Sequence, residues 1–297
     1  MLCVSDLTNS QKVTLLALDD KFRDSLPWET DGSFKTLFRV GPIWERYIKV
    51  ESYTGIISSD WNQCLAPCGP FDPLIDTYPE LTADLTAVFR EYTGNKISLG
   101  TANTRIRQLL PGPISLQQMD AYLDASFRTY KGVPELIDWC AEHKILFMIN
   151  TTGLTGYFQR VFAKKLLPGI PVLSANGMVR YPSLATDPPQ IFDLDEIQDK
   201  GRNTARALES FDISKNKVVI IGDSGGDGPH FLWGKHNNAY LIGSMAKQSL
   251  TNYCEKKGIG IDLFFGTTYS NGRQRSDEEE MGVDFRELIS VVEGLFA

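Results

Sequence analysis

Three short stretches of the chain carry residues whose types suit the handling of a charged group by carboxylates. IISSDWNQCLAP (residues 56–67) runs from apolar residues into Asp60, with Asn62 two positions on. INTTG (149–153) supplies the hydroxyls of Thr151 and Thr152 beside Gly153, and GDSGGDG (222–228) sets Asp223 and Asp227 among small residues in a tight turn. Lys200 lies in a helical pattern that leads back to the third of these stretches. Oxygen-only groups of this kind suit a hard cation such as Mg2+, which takes a few carboxylates and keeps its remaining waters. A carboxylate can also attack phosphorus, splitting one difficult displacement into two easier ones, provided that cations and fixed donors offset the phosphoryl charge. Singly, each stretch has an ordinary explanation: an Asp after a strand commonly caps a turn, Thr-Thr-Gly is commonly a loop, and a helix lysine commonly faces water. Their order along the chain and their common position after strand-like runs give them weight together.

Positioning them requires a parallel sheet. ILFMI (145–149), VVIIG (218–222) and AYLIG (239–243) are short, continuously apolar runs bounded by polar or glycine residues, with TGIISS (54–59) a weaker fourth. Such runs suit strands covered on both faces. Helical patterns over 134–144, 156–166, 195–210 and 284–296 alternate with them, which predicts right-handed βαβ units. The fold class expected is α/β, a Rossmann-like three-layer core. In such sheets ligands bind beyond the carboxyl ends of the strands, where all three stretches fall.

The interval 70–131 has helix signals and no convincing strand, so it reads as an α-helical insertion between the core segments 53–69 and 132–297. Within it Pro79 suits a first helical turn, and Ser115 with Gln118 has the spacing of a capping box. Residues 1–52 read as an N-terminal extension whose aromatic residues pack somewhere unspecified, and SDEEE (276–280) as a solvated loop or helix start.

At 297 residues and a formal net charge of -7, the chain has length for a sizeable core and lacks the basic balance of a nucleic-acid binder. No run approaches a membrane span and the first residues do not resemble a signal peptide, so a cytoplasmic protein with small-molecule partners is expected. The five cysteines are scattered and odd in number, which predicts free thiols, and Cys64 and Cys68 lack the second pair that a zinc site needs.

In their order, these stretches resemble the motifs of the haloacid dehalogenase-like hydrolases, most of which are magnesium-dependent phosphatases. DWNQCLA (60–66) is similar to the first motif, Asp-x-Asp-x-Thr, INTTG to the hydroxyl motif, DKG (199–201) to the lysine motif and IGDSGGD (221–227) to the acidic motif. The resemblance spans about residues 54–245 and implies that the helical insertion is a cap. It further implies that Asp60 is the nucleophile and that Mg2+ is held by Asp60, Asp223 and the backbone carbonyl of Asn62, with Asp227 either a further ligand or the residue that orients one. Thr151 (in preference to Thr152), neighbouring N–H groups such as that of Gly153, and Lys200 would then hold phosphate.

The departure is Asn62, at the position where the family's phosphatases carry an acid/base carboxylate. An amide cannot do that work, which is typically worth about 10²- to 10⁴-fold in rate. Tyr122, Tyr130 and Arg128 are candidates to replace it, and Arg105, Arg107, Arg128 and Lys131 to meet a second anionic group. Three readings stay open: a hydrolase of a small phosphorylated metabolite, a hydrolase of a C–P or other bond, and a catalytically impaired protein that binds phosphate and Mg2+. The first and third require the carboxylate oxygens of Asp60 and Asp223 to lie within about 7 Å of each other, given metal–oxygen bonds near 2 Å.

Overall fold

The computed structural model describes residues 52–93, 96–270 and 272–296; the N-terminal extension up to residue 51 lies outside them. Its frame is a seven-stranded parallel sheet in the order β4-β3-β2-β1-β5-β6-β7. The strands are β1 (Gly55–Ser59), β2 (Ile145–Leu154), β3 (Val172–Asn176), β4 (Gln190–Asp193), β5 (Val218–Gly222), β6 (Tyr240–Ser244) and β7 (Leu263–Phe265). β1 and β5 are buried along their whole length, β5 through apolar residues and β1 with Ser58 and Ser59 at its end. The alternate faces feed two cores, one containing Ile57, Phe147 and Ile221, the other Ile56, Leu146 and Ile220.

Chain order reverses at β1. The chain leaves it for β2 on one side and returns to β5 on the other, and Ser59 pairs in register with Ile149 and with Ile221. The three candidate stretches therefore leave the sheet side by side, at the switch point where open sheets bind ligands.

Helices α1 (Asp72–Thr77), α2 (Thr82–Thr93), α3 (Leu99–Leu109) and α4 (Leu116–Ser126) lie between β1 and β2, and the described residues there add no further strand to the sheet. The capping box of Ser115 and Gln118 forms as expected. Helix α4 packs on α6 (Thr155–Ala163), and Arg160 of α6 grips Asp120 of α4 through two hydrogen bonds of 2.7 and 2.9 Å. Remaining helices are α5 (Val133–Glu142), α6 (Thr155–Ala163), α7 (Asp199–Ser210), α8 (Gly228–His236), α9 (Gln248–Lys257), α10 (Asp277–Met281) and α11 (Leu288–Phe296).

Several boundaries differ from those expected. β2 does not stop at Ile149 but runs on to Leu154, through a register shift against β3 between Asn150 and Leu154. The helix expected from residue 195 starts at Asp199, because the Asp199 carboxylate accepts the N–H groups of Asp195 and Glu196, both at 3.0 Å, and holds them in a turn. Pro79–Leu81 forms a separate 3₁₀ turn ahead of α2.

Candidate active site

Asp60 is the first residue past β1. Its N–H still donates to Ile221 of β5 at 2.9 Å, so the backbone carries the sheet register right up to the carboxylate. One carboxylate oxygen accepts the N–H of Trp61 at 2.7 Å, and the other lies 3.2 Å from the Lys200 ammonium. Lys200 reaches it from the first turn of α7 and meets Asp227 at 2.5 Å on its other side. Asp227 in turn accepts the N–H groups of Asp223 and Ser224 at 2.9 and 3.2 Å, closing the tight turn after β5. Gly222 is required there, since a Cβ at that position would stand 2.7 Å from the Cβ of Asp227.

Asp60, Asp223 and Asp227 are all buried, and their ligating oxygens lie within 4.8 Å of one another, inside the limit set by the sequence. Burial, reinforced by Asp227 and Asp223, pushes the Asp60 carboxyl up to about 7 against the opposing pull of Lys200. Burial likewise raises Asp223. For Asp227 burial is outweighed by Lys200 and the two N–H donors, which hold it below the usual carboxylate range. Lys200 is buried, but its two carboxylate neighbours overcome desolvation and keep it charged. Three oxygen donors this close, with no nitrogen or sulfur among them, fit a hard divalent cation.

Beneath the carboxylates a buried polar layer fixes Lys200. Asn150 of β2 donates to the carbonyl of Lys200 at 2.9 Å and reaches Ser58 of β1 and Thr204 of α7, both at 3.1 Å. Thr204 also meets His230 Nε2 at 2.9 Å. Burial, helped by Lys200, pushes the His230 imidazole down to about 3, so it is neutral.

No family model and no curated protein matches the chain. Solved structures do. A phosphoserine phosphatase described as a phospho-aspartyl intermediate analogue aligns with a TM-score of 0.54 at 15% identity, covering 80% of this chain and 99% of that one. A HAD family hydrolase from Salmonella enterica subsp. enterica serovar Typhi aligns at 0.51 and 15% identity, over 86% and 81% of the two chains. Cytosolic 5'-nucleotidase IIIB bound to cytidine aligns at 0.51 and 15% identity, over 83% and 86%. The fold is that of the haloacid dehalogenase-like hydrolases.

On this haloacid dehalogenase-like fold, Asn62 is clamped. Thr151 donates its hydroxyl to Asn62 Oδ1 at 2.9 Å while accepting the Gly153 N–H at 3.1 Å, and Asn62 Nδ2 donates to the carbonyl of Cys68 at 3.3 Å. An amide suits that place because it accepts on one side and donates on the other. Thr152 is only partly buried, and its hydroxyl meets the Tyr92 phenol of α2, which also feels Lys200 and Asp60; burial raises that phenol.

The three residues expected to replace the acid/base have other partners. Tyr130 donates to Glu280, Tyr122 packs on Tyr157, and Arg128 lies at the surface 3.9 Å from Asp277. Arg105 and Lys131 are engaged with Glu91 and Asp284. The four described cysteines are free.

Two cations escaped the sequence reading. Lys247, just past β6, lies 2.6 Å from Asp223 Oδ2, and Arg275 lies 3.6 Å from the same atom. Position after the neighbouring strand was a usable signal for Lys247. Arg275 had none, and the acidic stretch beside it is not simply solvated: Ser276 caps α10, but Glu280 is 1% exposed and accepts from Tyr130, from Tyr269 at 2.6 Å and from Arg275.

Proposed function

We propose that this protein is a magnesium-dependent hydrolase of small phosphate esters that works through an aspartyl-phosphate on Asp60. The observation that carries this reading is the buried Lys200 ammonium, shared between Asp60 and Asp227 at the edge of a cluster of three carboxylates. Buried like charges this close are costly unless a cation joins them. The phosphoserine phosphatases of the same fold, one described as a phospho-aspartyl intermediate analogue and one as substrate-bound, and the cytidine-bound nucleotidase support a small phosphorylated substrate.

Asp60, Asp223, Asp227 and the Asn62 carbonyl would hold Mg2+, which supplies positive charge against the phosphoryl oxygens. Thr151, Gly153 and Lys200 bind the phosphoryl group, Thr151 turning its hydroxyl from Asn62 towards it. An Asp60 oxygen attacks phosphorus as the ester P–O bond breaks, and the departing oxygen takes a proton from water. Water then cleaves the aspartyl-phosphate, releasing phosphate and restoring the Asp60 carboxylate. Lys200 favours the ionised form of Asp60 against burial and holds it in place. The helices within 70–131 act as the cap, with Tyr92 facing the substrate.

The test is hydrolysis of p-nitrophenyl phosphate with Mg2+: turnover should appear and should vanish in Asp60→Asn. The clamped amide of Asn62 favours a second reading, in which the site binds phosphate and Mg2+ without turnover. Magnesium-dependent beryllofluoride binding with no hydrolysis would select it.

A further inference from the structure

Four buried carboxylates gather around this site, and three of them have obvious counter-ions. Lys200 serves Asp60 and Asp227. Arg275 is committed to Glu280 through Nε at 2.8 Å and Nη2 at 2.9 Å, and its Nη2 also holds the carbonyl of Gln63 at 2.9 Å. Asp223 has Lys247 at 2.6 Å, with Arg275 Nη1 farther off at 3.6 Å. The same ammonium donates to Gln63 Oε1 at 2.5 Å. Gln63 sits in the turn that follows Asp60, in a left-handed conformation (φ 58°) held by its N–H on the carbonyl of Ala66 at 2.7 Å. Lys247 therefore spans the turn after β1 and the turn after β5, the two segments that a metal ion would bridge. Its side chain is 31% exposed, against 19% for Arg275, so it has a path out to water while Arg275 stays anchored.

We infer that Lys247 is an exchangeable counter-ion of the metal site: it neutralises Asp223 before a divalent cation arrives and competes with that cation for the same carboxylate. This rests on the metal-binding reading proposed above. A dication entering beside a fixed ammonium is repelled even at an effective dielectric constant of about 20, and swinging the lysine into water relieves it. Lys247 is thus a positioning residue that sets metal affinity.

Calorimetric titration of the full chain with Mg2+, and with Mn2+ as a second probe, tests this. Lys247→Gln should bind both ions about tenfold or more tightly than the natural chain. Lys247→Arg, which keeps the charge, should stay within about threefold of it. Without metal, Lys247→Gln should melt below the natural chain and recover when Mg2+ is added, a response that lost packing alone would not give. Unchanged or weaker affinity in Lys247→Gln, with the natural chain still binding, overturns the role of Lys247 and leaves the metal site standing. Absence of binding in every variant removes both.

Discussion

Asn62 is the residue at which local structure and expected chemistry pull in opposite directions. Its amide donates to the Cys68 carbonyl and accepts from Thr151, so a carboxylate there would keep the second contact and turn the first into a repulsion. Asn62→Asp should cost about 1–2 kcal/mol, the usual consequence of leaving a buried acceptor without its donor, measurable as a lower urea midpoint. If the protein hydrolyses phosphate esters, the same change should raise turnover of an alkyl phosphate by roughly tenfold or more while barely affecting p-nitrophenyl phosphate, whose leaving group needs no proton. Equal gains on both substrates would show that protonation of the leaving oxygen is not what the amide lacks.

Among the elements, the turn after β5 and the packing of α7 against α8 decide whether the charges meet. Gly222→Ala would drive a methyl group into Asp227 and separate it from Lys200. A loss of about 2 kcal/mol or more, with Mg2+ no longer raising the melting temperature, is the expected outcome. Under α7, His230 is buried with its pKa depressed from 6.5 to about 3. The unfolded chain therefore binds a proton at His230 between those values that the folded chain refuses, so the His230 contribution to stability falls as pH drops below about 6.5. Linkage puts this at about 1 kcal/mol between about pH 7 and about pH 5.5, to be read as the difference between urea titrations of the natural chain and of His230→Gln, because Asp60, raised to about 7, moves stability the other way over the same range. The strands that build this frame were legible where they are continuously apolar, as in β2 and β5. β3, β4 and β7 were not, being three to five residues long, with polar residues in β3 and β4 and no periodicity to separate them from loops. The order Asp60, Thr151, Lys200, Asp223 was readable because each follows or adjoins a strand. Lys247, just past β6, carries the same signal without a motif around it, and Arg275 carries none, because only the return of the chain after β7 brings it to Asp223.

For the molecule as a whole, Glu280 joins parts of the chain that are far apart in sequence. It gathers Tyr130 from the exit of the helical insertion, Tyr269 from beyond β7 and Arg275, which in turn holds Gln63 beside Asp60. Phe285 stacks on the Tyr130 ring at 5.9 Å and meets Phe265 edge-on at 4.9 Å. Removing the charge in Glu280→Gln leaves the Arg275 guanidinium with only the more distant Asp223, at 3.6 Å, and a loss of about 3 kcal/mol is expected from chemical denaturation. A change under 1 kcal/mol would mean that the aromatic stacking alone holds the C-terminal segment.

Trp61 adjoins Asp60 and is wholly buried, its indole edge-on to Phe158 of α6 at 5.6 Å and stacked with Phe127, just past α4, at 6.4 Å. Swinging the entire insertion aside would strip that ring bare at the cost of a large apolar area, so α4, gripped by Arg160, is a fixed wall. A cap on the proposed hydrolase would therefore have to open on the side of α2 and α3.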